Sequence, residues 1–109
     1  MIRKRTTIYD YYYENVPAGY FEIEQRDGYV ILWNLQVYEK FRGKGHGKKI
    51  VEGIKKMFDH IRLFVDNDNI TAINLYTKAG FTETGIESIV TIFTNYDPSN
   101  KIAMRHDTI

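Results

Sequence analysis

The sequence contains no cysteine. Disulfides, thiolate zinc sites and a cysteine nucleophile are therefore all excluded. It also lacks any apolar run near the ~20 residues that a membrane helix needs. The basic start, Met1-Ile2-Arg3-Lys4-Arg5, is not followed by the apolar core of a signal peptide. Charge of one sign is missing as well: 15 Lys and Arg stand against 14 Asp and Glu, a net charge of +1. A nucleic-acid partner would find little bulk attraction there. Proline is scarce, and no linker, repeat or low-complexity tract is visible. The expectation is a single cytoplasmic domain over residues 1–109, without a membrane or nucleic-acid partner.

What is abundant is aromatic side chain, 15% of the chain, including nine tyrosines. Residues 6–13 (Thr-Thr-Ile-Tyr-Asp-Tyr-Tyr-Tyr) are β-branched and aromatic and predict a strand, broken by Asn15-Val16-Pro17. Residues 18–25 alternate, with Phe21, Ile23 and Gln25 on one face and Tyr20, Glu22 and Glu24 on the other, as in a half-exposed strand. Asp27-Gly28 predicts a hairpin turn. Tyr29 to Val37 follows, with apolar residues at every odd position and polar ones entering the even face only at Asn34 and Gln36. That pattern predicts a central strand, buried at first and opening to a site at its C-terminal end.

The stretch Phe41-Arg42-Gly43-Lys44-Gly45-His46-Gly47-Lys48-Lys49 comes next, then an amphipathic helix to Phe58 with Ile50, Val51, Ile54, Met57 and Phe58 in one stripe. Strand, glycine-rich turn and helix in that order make an anion site. The first helical turn has backbone N–H groups without intrahelical partners, and the macrodipole adds about half a positive charge. Glycine lets a phosphate approach that backbone. The spacing Gly43-x-Gly45-x-Gly47 is wrong for a dinucleotide fingerprint and lacks the interval and the Ser/Thr of a P-loop. A cofactor pyrophosphate is the working ligand.

Ile61 to Val65 predicts a short strand parallel to Tyr29–Val37. Asp66-Asn67-Asp68-Asn69 caps a helix from Ile70 to Ala79, which stops at Gly80. The tetrad resembles the start of a calcium loop, but Thr71 stands where that loop needs glycine and no Glu closes it. His60 and His106 have no partners at metal-ligand spacing, so no metal is expected. Phe81 to Thr94 is extended in character, 97–100 a loop and Ile102 to His106 a last strand. The order β-β-β-α-β-α-β-β gives an α/β (α+β) fold with a mixed, mostly antiparallel sheet.

Two motifs together resemble the Gcn5-related N-acetyltransferase (GNAT) family. Arg42-Gly43-Lys44-Gly45-His46-Gly47 matches its Arg/Gln-x-x-Gly-x-Gly/Ala signature, preceded by Leu35-x-Val37. Asn69, Ala72, Leu75, Tyr76, Lys78, Gly80 and Phe81 match Asn-x-x-Ala-x-x-Leu-Tyr-x-Lys-x-Gly-Phe. The resemblance implies that the parallel strand pair is splayed and that acetyl-CoA is the acyl donor. The implied cofactor-binding residues are Leu35, Gln36 and Val37, the run Arg42, Gly43, Lys44, Gly45, His46, Gly47 and Lys48, and Asn69 with Tyr76. Asn69 and Tyr76 are two helical turns apart, about 10 Å along one face. His46 stands where relatives usually carry an aliphatic residue, and it reads as phosphate-adjacent.

The implied reaction is direct attack of a primary amine on the thioester, with Tyr76 as general acid to the leaving thiolate. The acceptor is expected to be a protein lysine or N-terminus, with a small amine as the alternative. A lysine near pKa 10.4 must first lose a proton, so a base or water chain is required. Phe64 stands where some protein-acetylating relatives carry a Glu. Glu22 and Glu24 are the candidate bases, and Asn34 or Gln36 could order a water. Relatives usually begin with a strand and two helices that wall the acceptor side, whereas about five residues precede the first strand here. That implies an open acceptor groove or a homodimer that closes it, with Tyr9, Tyr11, Tyr12, Tyr13 and Tyr20 as the candidate face. Competing readings are a non-catalytic acyl-CoA-binding module and, less in keeping with the charge, a nucleic-acid-binding domain.

Overall fold

The three N-terminal stretches rich in β-branched and aromatic residues form an antiparallel meander: β1 (Thr6–Tyr13), β2 (Val16–Arg26) and β3 (Tyr29–Val37). They are followed by α1 (His46–Met57), β4 (His60–Asp66), α2 (Ile70–Lys78), β5 (Thr82–Thr84) and β6 (Lys101–Asp107), with short 3-10 turns at Glu39–Phe41 and Ile86–Ser88. All six strands join one sheet in the order β1-β2-β3-β4-β6-β5. The β3–β4 pair is parallel and the other pairs are antiparallel. This computed structural model describes residues 6–93 and 95–108, so the basic start Met1–Arg5 and the expected strand end Thr94 lie outside the described residues. Among the described residues no helix is long and apolar enough to cross a membrane.

Both helices cover one face of the sheet. Ile50, Val51 and Ile54 of α1 and Tyr76 and Ala79 of α2 pack on Ile23, Leu32, Ile61 and Leu63 from the strands. The stripe expected over residues 48–58 is the buried one for Ile50, Val51 and Ile54, whereas Met57 ends exposed at the last turn. Gly80, at φ +94°, ends α2 as expected: the Phe81 N–H reaches back to the Tyr76 carbonyl at 2.9 Å, closing the last turn.

The opposite face is covered differently. Only Thr82–Thr84 of the stretch expected to be extended pairs in the sheet. Beyond it the chain crosses the second face as an irregular strap, with Ile89 buried against Ile31 and Ala103. The first hairpin also differs, because the break falls at Glu14 and Asn15, both at positive φ (50° and 65°), and Val16-Pro17 already belong to β2.

One irregularity shapes everything that follows. Glu22 pairs with Asn34 while Ile23 pairs with Leu32, so Trp33 is a surplus residue in β3, a bulge. Before it, Tyr29, Ile31 and Trp33 face the strap; after it, Leu35 and Val37 face the helices beside Val30 and Leu32. The odd positions from 29 to 37 do not share one face, as strict alternation predicts. A bulge reverses the phase.

Candidate active site

The parallel pairing of β3 with β4 runs from Val30–Ile61 to Leu32–Leu63 and ends there, one residue before the bulge. Past that point the two strands part, and two clefts meet in the gap. One, of about 520 Å³, lies on the helix side and is lined by Leu35, Gln36, Val37, Arg42, Gly47, Asn69, Thr71, Ala72, Leu75 and Tyr76. The other, of about 400 Å³, reaches the strap side and adds Trp33, Asn34, Phe64, Val65, Asp66, Tyr96 and Lys101 to Leu35, Gln36, Asn69, Ala72 and Tyr76. Tyr76 therefore stands where the two clefts join.

The glycine turn sits at the mouth of the first cleft. Gly43 and Gly45 lie at φ +75° and +83°, a left-handed backbone that side chains rarely adopt. Gly45 is the N-cap of α1 and offers no side chain to its first-turn N–H groups. The anion site expected from the sequence would draw on those donors. Gly47 is helical, and its edge lines the cleft; a Cβ there would meet Leu75 at 3.6 Å, an ordinary contact. Arg42 donates from Nε to the Val37 carbonyl at 2.9 Å, which holds its side chain beside the end of β3.

Gly43, Lys44 and Gly45 are exposed in the turn. Lys48 lies with Glu52, Leu75, Lys78 and Ala79 in a small cleft between the helices that shares Leu75 with the first. His46 holds its ring away from the turn's surface. Its ring is 3% exposed and shares a 2.9 Å hydrogen bond from Nδ1 with the Tyr11 hydroxyl. It makes edge contacts with Tyr13 and Phe41 at 4.6 and 5.7 Å. The ring fills a core position beneath the turn, as an aliphatic residue would, and leaves only its backbone in the first turn of α1. The tyrosine group divides likewise: Tyr11 and Tyr13 surround His46, Tyr9 stacks on Phe21 at 4.9 Å, and Tyr12 stays exposed.

Asn69 caps α2, its Oδ1 accepting from the Ala72 N–H at 3.1 Å, and it also lines both clefts. Tyr76 is 8% exposed, and burial pushes its phenol up to about 12. At neutral pH it is a neutral donor.

The two candidate bases part company. Glu22 is half-buried and accepts from Asn34 Nδ2 at 2.7 Å, so it stands behind a residue that lines the second cleft. Glu24 is not the exposed carboxylate that alternation predicts, being 0% exposed under the strap. Its Oε1 accepts from Trp33 Nε1 at 2.7 Å and Thr91 Oγ1 at 2.9 Å, and its Oε2 from the Ile92 N–H at 2.9 Å. Arg26 Nε lies 3.8 Å from the same Oε2. Oxygens committed in this way make an anchor, out of an amine's reach. Sequence reasoning missed Thr71, Trp33, Tyr96 and Lys101 as lining residues. For Trp33 the signal is the bulge, which only the β2–β3 register reveals; Tyr96, in an aperiodic loop, carries none.

A model of the Acetyltransferase (GNAT) family matches residues 2–81. No curated protein matches the chain. Among solved structures, a Bacillus subtilis acetyltransferase in complex with CoA is 25% identical, with a TM-score of 0.73 over 96% of this chain and 78% of that one. An Elizabethkingia anophelis GNAT family acetyltransferase with acetyl-CoA bound is 18% identical, with a TM-score of 0.74 over 94% and 76%. The Escherichia coli ribosomal-protein-S18-alanine N-acetyltransferase is 22% identical, with a TM-score of 0.72 over 99% and 73%. With a family match over most of its length and the parted strands, uncapped glycine turn and Asn–Tyr helix in one cleft, the chain belongs to the GNAT acetyltransferase family.

Proposed function

We propose that this protein transfers an acetyl group from acetyl-CoA to a primary amine by direct attack. The observation that carries the reading is the junction of two clefts at Tyr76, one running to the glycine turn and the other opening on the far side of the sheet. The residues present fit the donor. The first-turn N–H groups behind Gly45 and the guanidinium of Arg42 would hold the pyrophosphate. The backbone of Leu35–Val37, beyond the end of the β3–β4 pairing, would hold the pantetheine amides and orient the carbonyl. Asn69 uses Oδ1 as a cap, which leaves its NH2 to donate to the same arm. Bound there, acetyl-CoA would supply the activated acetyl group.

Tyr76 keeps its proton. A thiol titrates near ~8.5, so full transfer from a phenol raised to about 12 would run uphill by roughly 3 to 4 pKa units. The hydroxyl therefore acts by donating a hydrogen bond to the leaving sulfur, a narrower role than general acid. The acceptor's ammonium proton leaves through water ordered by Asn34, which Glu22 holds in place. The acceptor is a primary amine on a protein or a smaller molecule. Calorimetry with acetyl-CoA, followed by thiol release across a panel of amines and peptides, tests the reading. Binding and release support it; binding without release on any amine would make the protein a CoA-binding module, and no binding would overturn the proposal.

A further inference from the structure

The second cleft is the side from which an amine would approach, and its composition is uneven. Trp33, Phe64 and Tyr96 form one wall, with ring centroids 4.8 Å apart for Trp33–Tyr96, 4.9 Å for Phe64–Tyr96 and 5.8 Å for Trp33–Phe64. Among the described residues, the charged ones lining it are Asp66 and Lys101, and they are paired with each other. No other carboxylate lines this cleft among the described residues. Against the ring wall itself a polyamine would lose hydration without gaining an ionic partner, whereas a flat apolar group would gain ring contacts.

The wall is also held rigidly. Trp33 projects toward the strap with Tyr29 and Ile31, and its indole N–H is fixed on Glu24. The strap is fixed on the same carboxylate through Thr91 and Ile92. Thr91 Oγ1 in turn accepts the Phe93 N–H at 3.1 Å, and the Phe93 carbonyl accepts the Tyr96 N–H at 3.1 Å. One buried carboxylate thus sets the spacing between the ring on the sheet and the ring on the strap.

We infer that the protein selects an amine flanked by an aromatic or large apolar group, which rests on Trp33, Phe64 and Tyr96, and that Glu24 is the positioning residue for this wall. The inference deepens the proposed function and rests on it. Its test begins with binding. Trp33 is the single tryptophan, so its fluorescence reports the wall without any turnover. Phenethylamine quenches or shifts this emission in the presence of CoA, and spermidine and ethylamine do not.

In steady state, kcat/KM is about tenfold higher for phenethylamine than for ethylamine, and for a peptide beginning with Phe than for one beginning with Gly. Tyr96→Ala and Thr91→Val each raise the KM for the aryl acceptor several-fold and leave the KM for acetyl-CoA unchanged. Glu24→Gln does the same if it folds, which thermal melting checks; Thr91→Val loosens only the strap and keeps the inference testable if it does not. Equal kcat/KM across these amines, a preference for spermidine, or an unmoved acceptor KM in both Tyr96→Ala and Thr91→Val would overturn the inference while acetyl transfer stood. Failure to bind acetyl-CoA in calorimetry would instead remove the parent reading, and this one with it.

Discussion

The two faces of the sheet are closed by different means. On the helix side, covering is repetitive: Ile50, Val51 and Ile54 of α1 are each 2% exposed or less, and they meet strand residues equally buried. Stability there is spread over many apolar contacts, none directional. On the strap side the fully buried apolar residues among those described are Ile31, Ile89 and Ala103, with Tyr29, Trp33, Phe64 and Ile86 half-buried around them. There a single buried carboxylate gathers an indole, a hydroxyl and a backbone amide. The helix side should therefore fail globally and gradually, and the strap side locally and all at once. The helix face holds the fold, and the strap face holds a geometry.

Ile54→Ala tests the first half of that contrast and is expected to have the largest effect. Removing a fully buried side chain under α1 costs about 4 kcal/mol and lowers the melting temperature, with the folded fraction keeping its acceptor preference. A melting curve shifted by less than a few degrees would mean that α1 is not a principal support. Glu24→Ala comes next, at about 3 kcal/mol, because it strands buried donors rather than opening a large cavity. Here hydrogen exchange should accelerate first at the Ile92 amide and not in α1. Uniform acceleration would erase the distinction between the faces.

Gly19→Ala probes the ground between them. A Cβ at Gly19 would lie 2.2 Å from the Gln36 carbonyl oxygen, and that obstacle is backbone. A cost of about 2 kcal/mol is expected, accompanied by weaker acetyl-CoA binding because Gln36 belongs to the strand that lines the donor cleft. Calorimetry on the folded variant would separate the two effects. Tyr76→Phe is the mildest in stability. It should lower kcat about tenfold with acetyl-CoA affinity largely kept, and unchanged turnover would remove the hydroxyl from the mechanism. Its phenol is raised in the fold, so the wild type should lose stability as pH climbs from about 10 through about 12, and Tyr76→Phe should lose less over that window.

The parts legible in the sequence are those whose chemistry is local. Gly43 and Gly45 announce a left-handed turn, Asn69 a cap, Gly80 a helix end, and Ile50–Ile54 a buried stripe, each from its immediate neighbours. What was hidden depends on partners distant in the chain. Trp33 becomes surplus only through the register of β2. Glu24 reads as solvent-facing because alternation assigns a face without saying what covers it, and the covering residues lie more than sixty positions away. His46 looks like a phosphate ligand by position, yet Tyr11 claims its ring from the far edge of the sheet.

The gap in the sheet is a matter of counting. If β3 were one residue shorter at Trp33, Leu35 and Val37 would still face α2, but the strand would lose its bend and nothing in the register would stop β3 from pairing onward with β4. The opening would close like a zip. The aperture through which donor and acceptor would meet is thus encoded by an arithmetic mismatch between two adjacent strands, and a single-codon deletion would reach it more surely than any substitution.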